Sequence, residues 1–574
     1  MLVKFIGAIE RVTGSCSWLK KDSIEFLIDC GMVQGERHEI FENEKPFLFD
    51  PKLIKFVLLT HAHLDHCGLI PRLYKEGFVG RVYCTRATSF LSHEIMLDAA
   101  KIGIGTPYKV KDVDNIKYSF FEDMKNFKWG KMIPIDNDIF IAIYRSAHIL
   151  GSVSIRVSWN KDVNGKSILF TGDIGNNTKQ NSYQPLLKHR QVPDYRVGFI
   201  VCESTYGSRE HEFSECNLDN RIVQLEKAVI ETLYQKKGNL IIPTFSLHRT
   251  QEILFDLYYL MKIKLKGELF QGKYEEKLDS SVSNDLKIKP IPIQVICDSP
   301  LGKRISKIYA EELTKPYYNG TEVKRPYLNN NILNWLNVQD DEVENLFKNL
   351  YTEKFLNIGV HNVKILEDYK RELPDTPVIV ITSSGMCDAG PALIHLENHL
   401  EDPKNTILLT GHQSAGTNGN KLSNLADLSE EEKQIGSIQL TENKEIKFSD
   451  IKANIGKIIG YSGHADQKSL LNYLFIDEDE SKYTIPKIFL NHGTNESREE
   501  FKKKILERSE ELNRKYSEKQ SFSTNVVIPK KNDGWYDLDK NEWVTDNQDI
   551  IKAINNLTIA IEYLTKEISK MNKA

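Results

Sequence analysis

The stretch Thr60–Gly68 reads THAHLDHCG and sets His61, His63, Asp65 and His66 within six positions. Neutral imidazole and carboxylate are the donors that zinc takes in catalytic sites, where one position stays open for water. Neither a strand nor a regular helix points all four side chains one way. A tight loop brings alternate residues to two neighbouring points, and four such donors fit two ions better than one. His148 in YRSAHILGS and Asp173 in LFTGDIG stand where other apolar runs stop and can complete the set. A lone histidine is ordinarily a core or surface residue, and His38, His93, His189 and His399 read that way. The cluster reads as a metal centre.

The elements that must position these groups are legible as apolar runs. SIEFLIDCGM, IKFVLLTHAH, GRVYCT, IFIAIYRSAH, KSILFTGDIG and VGFIVCESTYG each predict a strand that ends in a polar or glycine-containing loop. A rigid sheet presents functional groups on such loops. After Cys216 the pattern turns to helix (LDNRIVQLEKAVIETLYQ), strand (NLIIPTFS) and helix (HRTQEILFDLYYLMK), which predicts a parallel sheet with crossover helices. Polar residues Lys264–Lys289 read as a surface insertion. Further strand-and-loop units follow at IPIQVICDSP, PVIVITSSGMCDAGP, NTILLTGHQSAGTNGN, IGKIIGYSGHADQ and KIFLNHGTNE. In the tail, Ile550, Ile554, Leu557, Ile561, Leu564, Ile568 and Met571 follow the 4-3 spacing of a heptad seam. That helix would dock on its own chain or join subunits as a homo-oligomer.

Composition sets outer bounds. With 574 residues, 40% of them hydrophobic and 27% charged, the chain is expected to be globular and multidomain. No run of 18 apolar residues predicts a membrane span. The opening MLVKFIGAIERVTG reads as a first strand rather than a signal peptide. Eight scattered cysteines without a C-x-x-C pair suit a reducing, cytoplasmic setting. A net charge of −4 neither requires nor excludes a nucleic-acid partner; any basic surface must be local.

THAHLDHCG resembles the signature loop of the metallo-β-lactamase superfamily, with Asp29 in LIDCGM, His148 and Asp173 in the order which that family expects. VCESTYGSREH, GYSGHADQ and LNHGTNE resemble motifs A, B and C of its nucleic-acid-cutting β-CASP group. IPTFSLHRTQEIL, DSPLG, SSGMCDAGPALIHL and GHQSAGTNGN are similar to the group's inserted domain, so the resemblance spans roughly residues 1–510. It looks nearest to the bacterial and archaeal RNA-processing ribonucleases and to the endonuclease subunit of the mRNA 3′-end cleavage complex. The implied fold class is α/β: an αββα sandwich with an inserted α/β domain and a C-terminal helix. The implied domains are 1–206 (sandwich, first part), 207–460 (inserted β-CASP domain), 461–530 (sandwich, second part, with the RNA-specific motif) and 531–574 (tail).

The resemblance implies two Zn2+ per chain. His61, His63 and His148 would hold one, Asp65, His66 and His492 the other, and Asp173 would bridge them. Asp29 would orient ligands, and Asp65, His464, Glu203 and Asp29 make up the catalytic set. Two metals can clamp a phosphate and acidify water. His464, with Glu203 beside it, would then protonate the leaving ribose oxygen. A histidine at motif C, here His492, goes with RNA in this group, so single-stranded RNA is the expected substrate, cut internally or from a 5′ end. The alternatives are an inactive RNA-binding scaffold and a DNA nuclease. Arg249, Ser383, Ser384, Gly385 and the loop Ser414, Gly416, Thr417 are expected to hold phosphates without reading bases. His248 stands where relatives often have glycine, and His412 where many have tyrosine. The insertion and the heptad tail have no counterpart in the group.

Overall fold

The computed structural model describes residues 1–35, 41–103, 105–159, 166–179, 185–193, 197–210, 217–261, 294–319, 322–351, 373, 376–411, 413–441, 444–475, 487–516 and 524–544. The Lys264–Lys289 insertion, His412 and the heptad tail lie outside them.

Two mixed sheets pack face to face. In the first, eight strands run in the order Glu542–Val544, Trp535–Asp537, Leu2–Phe5, Ser17–Lys21, Ile24–Ile28, Ile54–Leu58, Arg81–Cys84 and Tyr118–Phe120. In the second, seven strands run Val526–Val527, Lys487–Asn491, Phe199–Glu203, Ser167–Phe170, Val153–Ser158, Ile139–Arg145 and Ile133–Asp136. Val3, Leu19, Phe26 and Phe56 of the first sheet meet Ile141, Ile155, Phe170 and Phe489 of the second in one buried layer. Helix Arg86–Ile102 covers the outer face of the first sheet through Met96. Helices Gln467–Leu474 and Asn495–Tyr516 cover the second through Leu470, Tyr473, Phe501 and Ile505. The result is the αββα sandwich that the resemblance implies.

The third sheet is parallel throughout: Gln294–Asp298, Val378–Thr382, Leu240–Pro243, Thr406–Leu409 and Asn454–Lys457. Helices Leu218–Val229, Arg249–Tyr259, Pro300–Thr314 and Val343–Tyr351 bury Leu225, Phe255, Tyr309 and Phe347 on one face. Helix Pro391–His399 and its neighbours bury Leu396 and Leu422 on the other. The chain leaves the sandwich after Phe199–Glu203 and has returned by helix Gln467–Leu474; Lys487–Asn491 then pairs in parallel with that same strand. Motif B follows within seven residues of the last parallel strand, so the carboxyl ends of the third sheet, where open α/β sheets place ligands, abut the sandwich.

One expectation needs correction. Residues 531–574 read as a tail, but Trp535–Asp537 pairs antiparallel with Leu2–Phe5 and extends the first sheet. Tyr536 is 1% exposed and packs against Phe489, while Trp535 meets Trp18 with ring centroids 4.5 Å apart. The aromatic spacing W-Y…W over 535–543 is a half-buried strand pattern, masked in the sequence by the short polar turn between.

Candidate metal centre

Each metal-site candidate lies at a strand end. Asp29 follows Ile24–Ile28, His61 follows Ile54–Leu58, His148 follows Ile139–Arg145, Asp173 follows Ser167–Phe170, and His492 follows Lys487–Asn491. The HAHLDH loop is not a simple turn. His63 starts a single helical turn, Leu64–Cys67, which swings Asp65 and His66 to a second point. Asp29, Ala147 and His492 hold φ of +59°, +58° and +54°, a cost of order 1–3 kcal/mol each that the packing around them must overcome.

The donors converge as two groups. In one, His61 Nε2 and His148 Nε2 both lie 3.1 Å from His63 Nδ1. In the other, His492 Nε2 lies 2.9 Å from His66 Nε2 and 3.2 Å from Asp65 Oδ2. Asp173 stands between them. Its Oδ2 is 3.4 Å from His61 Nε2 and 3.5 Å from His148 Nε2; its Oδ1 is 3.3 Å from His66 Nε2 and 3.6 Å from His492 Nε2.

The far sides of the rings decide what those nitrogens can do. Thr60 Oγ1 donates to Asp29 Oδ2 at 2.8 Å, so it accepts from His61 Nδ1 at 3.1 Å. His66 Nδ1 donates to Asp29 Oδ2 at 2.7 Å, and His148 Nδ1 to the Gly463 carbonyl at 2.8 Å. Thr205 Oγ1 donates to the His492 carbonyl and so accepts from His492 Nδ1, 3.1 Å away. When neutral, His61, His66, His148 and His492 therefore each turn a bare Nε2 lone pair toward their neighbours. Lone pairs about 3 Å apart repel unless a cation lies among them, and Asp173 Oδ1 is buried with no hydrogen-bond partner. The donor set fits a pair of metal ions.

Electrostatics agree. Burial, then neighbouring imidazoles, push His61 and His63 well below the ordinary histidine range; the same causes bring His148 to about 4. Burial opposes the Asp65 charge, but His66 and His492 hold its pKa down at about 2, and His492 and His66 hold Asp173 well below the usual carboxylate range against the same burial. Burial also opposes charge on His66, yet Asp173, Asp29 and Asp65 together raise it well above the usual value. The locality demands a cation, which a metal would supply in place of that proton.

His464 and Glu203 flank this centre. His464 Nδ1 lies 3.1 Å from Glu203 Oε2 and 3.9 Å from Asp173 Oδ2. Glu203 Oε1 accepts from the Ile174 N–H at 2.5 Å. Burial works against the imidazolium, but Glu203, then Asp173, raise His464 to about 10.

Three family models match this chain in the order the geometry requires: the metallo-beta-lactamase superfamily over residues 9–185, the Beta-Casp domain over 250–422, and the Zn-dependent metallo-hydrolase RNA specificity domain over 449–515. The chain belongs to the β-CASP family. Among its relatives, Ribonuclease TTHA0252 of Thermus thermophilus is 27% identical over 85% of this chain and 92% of its own length. An RNase J-like protein of Methanocaldococcus jannaschii is 27% identical over 83% of this chain and 89% of its own. Transcription termination factor FttA of the same organism is 27% identical over 86% of this chain, which spans only 66% of that longer protein.

The phosphate-binding candidates of the inserted domain stand at the ends of its own strands. Ser383–Gly385 follow Val378–Thr382 and Ser414–Thr417 follow Thr406–Leu409, and the loops touch where Gln413 Nε2 donates to the Gly385 carbonyl at 3.1 Å. Thr417 Oγ1 is committed to capping helix Asn418–Ser423 through the Asn420 N–H. Arg249 directs its guanidinium at the Thr410 carbonyl and stacks over Tyr461 at 5.5 Å. His248 has φ +67°, a conformation that suits glycine, and Tyr309 holds its Nδ1 at 3.0 Å. Asp29 accepts from the Thr60 N–H and hydroxyl and faces His66 Nδ1. Sequence reading passed over Thr60, Thr205, the Gly463 carbonyl and Asn176, whose Nδ2 donates to the His464 carbonyl at 2.6 Å. Their signal was only adjacency to motif residues.

Proposed function

We propose that this protein is a zinc-dependent ribonuclease that hydrolyses phosphodiester bonds in single-stranded RNA, cutting internally. The observation that carries the reading is Asp173: its two oxygens divide between two imidazole groups whose bare nitrogens face one another. When bound, two zinc ions would supply charge stabilisation for a phosphate and water with a pKa near 7. His61, His63 and His148 would hold one ion, Asp65, His66 and His492 the other, with Asp173 shared. The rest falls to the chain. Thr60, Asp29, Gly463 and Thr205 hold the tautomers of His61, His66, His148 and His492. His464 keeps its proton because Glu203 faces Nδ1, leaving Nε2 to protonate the departing ribose oxygen. The names of the ribonuclease relatives and the match to the RNA specificity domain support RNA as the substrate.

The test is a single-stranded RNA labelled at its 5′ end, given to the metal-loaded protein and to an Asp65→Ala, His66→Ala variant. Internal fragments from the wild type alone are the expected result. Labelled mononucleotide alone would make it a 5′ exonuclease. Intact RNA in both would end the ribonuclease reading.

A further inference from the structure

A second concentration of charge lies beside the metal donors. Arg145 ends the strand Ile139–Arg145, three residues before His148. Its Cζ lies 5.2 Å from the Trp129 ring centroid, its Nε is buried with no hydrogen-bond partner, and among the described residues no carboxylate pairs with it. Burial lowers its pKa to about 10, so the folded protein holds this cation at a cost. His189 shares the locality. Burial, then Arg145, Lys188 and Lys179, all lower its pKa, and no acid acts on it among the described residues.

Lys128 and Lys131 flank Trp129 in a turn closed by the Lys131 N–H on the Lys128 carbonyl at 3.0 Å. The Gly130 N–H donates to the Ile143 carbonyl at 2.8 Å and docks this turn on the strand carrying Arg145. Across the seam, Tyr327 of the inserted domain stands edge-on to Trp129 at 5.9 Å, and its carbonyl accepts from the Lys188 N–H at 2.7 Å. Nearby Glu122 is engaged by the Tyr327 hydroxyl at 2.8 Å and the Arg86 N–H.

Surface lysines alone are usually just solvated. What distinguishes this patch is the half-buried guanidinium with an unpartnered Nε, since burying a cation without an anion is costly unless a ligand brings the charge. Phosphate fits a guanidinium fork, and aromatic rings among cations suit a single-stranded nucleic acid. The patch is also contiguous with the centre. Gly175, two residues past Asp173, donates to the Ser146 carbonyl at 2.9 Å, and three residues of chain from Arg145 to His148 span at most about 10 Å.

We propose that Lys128, Trp129, Lys131, Arg145, Lys179 and Lys188 form a phosphate-tracking surface that holds single-stranded RNA beside the metal centre. The proposal rests on the RNA reading above. It adds affinity for strands long enough to reach from the centre to the patch, and takes no part in the chemistry.

The experiment compares wild type with Lys128→Glu/Lys131→Glu, with Arg145→Met, and with a charge-matched control, Lys531→Glu/Lys540→Glu. Binding of a fluorescent 30-nucleotide RNA is followed by anisotropy in chelator, where nothing is cut, across a salt series; cleavage is followed separately with metal. The patch variants are expected to bind about tenfold more weakly, and the slope of log K against log salt should shrink by about 0.7 per lost phosphate contact. The KM for long RNA should rise with kcat unchanged, and a five-nucleotide RNA should be cut as by wild type. Circular dichroism and melting of Arg145→Met separate misfolding from lost contact, and the exposed lysine pair carries the test if that variant fails to fold. If wild type binds and cuts RNA while the lysine variant matches it in affinity and salt slope, the patch proposal fails and the ribonuclease reading stands. If wild type neither binds nor cuts RNA, both fall.

Discussion

At the scale of single residues, the centre is built by carboxylates that assign protons. Asp29 takes the His66 Nδ1 proton and both the backbone N–H and hydroxyl of Thr60. Asp29→Asn keeps the size but offers an amide toward one of these donors, so metal affinity or activity should fall about 10- to 100-fold, read by metal titration against wild type. Glu203 acts on His464 from 3.1 Å. Its carboxylate is what keeps the imidazolium against burial, so the pKa of about 10 should move down in Glu203→Gln. An acid must be protonated to work. The alkaline fall in kcat should therefore begin at lower pH in the variant, with the larger loss at pH 9 than at pH 6. Parallel kcat–pH profiles in the two proteins would show that His464 is not the acid.

At the scale of elements, the loops meet so closely that glycine is required where they touch. A Cβ on Gly175 would stand 1.8 Å from the Ala147 carbonyl, where the Asp173 loop crosses the His148 loop. Gly175→Ala must push the two loops apart; about 1–3 kcal/mol of stability and most metal binding should go together, checked by melting and metal content of the purified variant. A second element-scale device lies under helix Arg249–Tyr259. Arg221 is buried between Asp256, at 2.9 Å, and Glu252, at 3.4 Å, one cation for two acids. Burial exceeds the help from Arg221 and raises Glu252 to about 8. The folded state then binds a proton that the unfolded chain, with a pKa near 4.3, has lost. Stability from this group is full below about pH 4 and is lost as pH rises to about 8. Glu252→Gln should gain melting temperature relative to wild type at pH 8 compared with pH 5.5, both in the same metal state. Which residues end strands was legible from HAHLDH, RSAH and TGD, because an apolar run that stops at a donor carries its own signal. The tautomer holders were not, since Thr60 and Thr205 are unremarkable by type and the Gly463 carbonyl has no sequence signature. The strand pair at 535–544 escaped for a similar reason: its partner, Leu2–Phe5, is over 500 residues away.

At the scale of the whole molecule, the centre ties together loops from the two parts of the sandwich, which the inserted domain separates in sequence. His66 and His492 are 426 positions apart, and Gly463, which follows the last strand of the inserted sheet, holds His148. The two-part sandwich could be read from motifs A, B and C; the closure of the inserted sheet's carboxyl edge over it could not, because no residue type reports the relative placement of two domains. This placement makes metal a structural partner as well as a catalyst. Chelation leaves bare imidazole nitrogens about 3 Å apart beside the ionised Asp173, and relief requires either protonation or separation of the loops. A ligand held at 1,000 times its Kd stabilises the folded state by about 4 kcal/mol, and here that energy is spread over loops from both parts of the sandwich. Metal removal should therefore lower the melting temperature by several degrees. It should also open the junctions near residues 204–210 and 458–463 to limited proteolysis before the sheet cores are cut. Zinc should restore both. If the stripped protein melts and resists protease as the loaded one does, the donors are preorganised without metal, and the repulsion argued from their bare nitrogens must be met by protons alone.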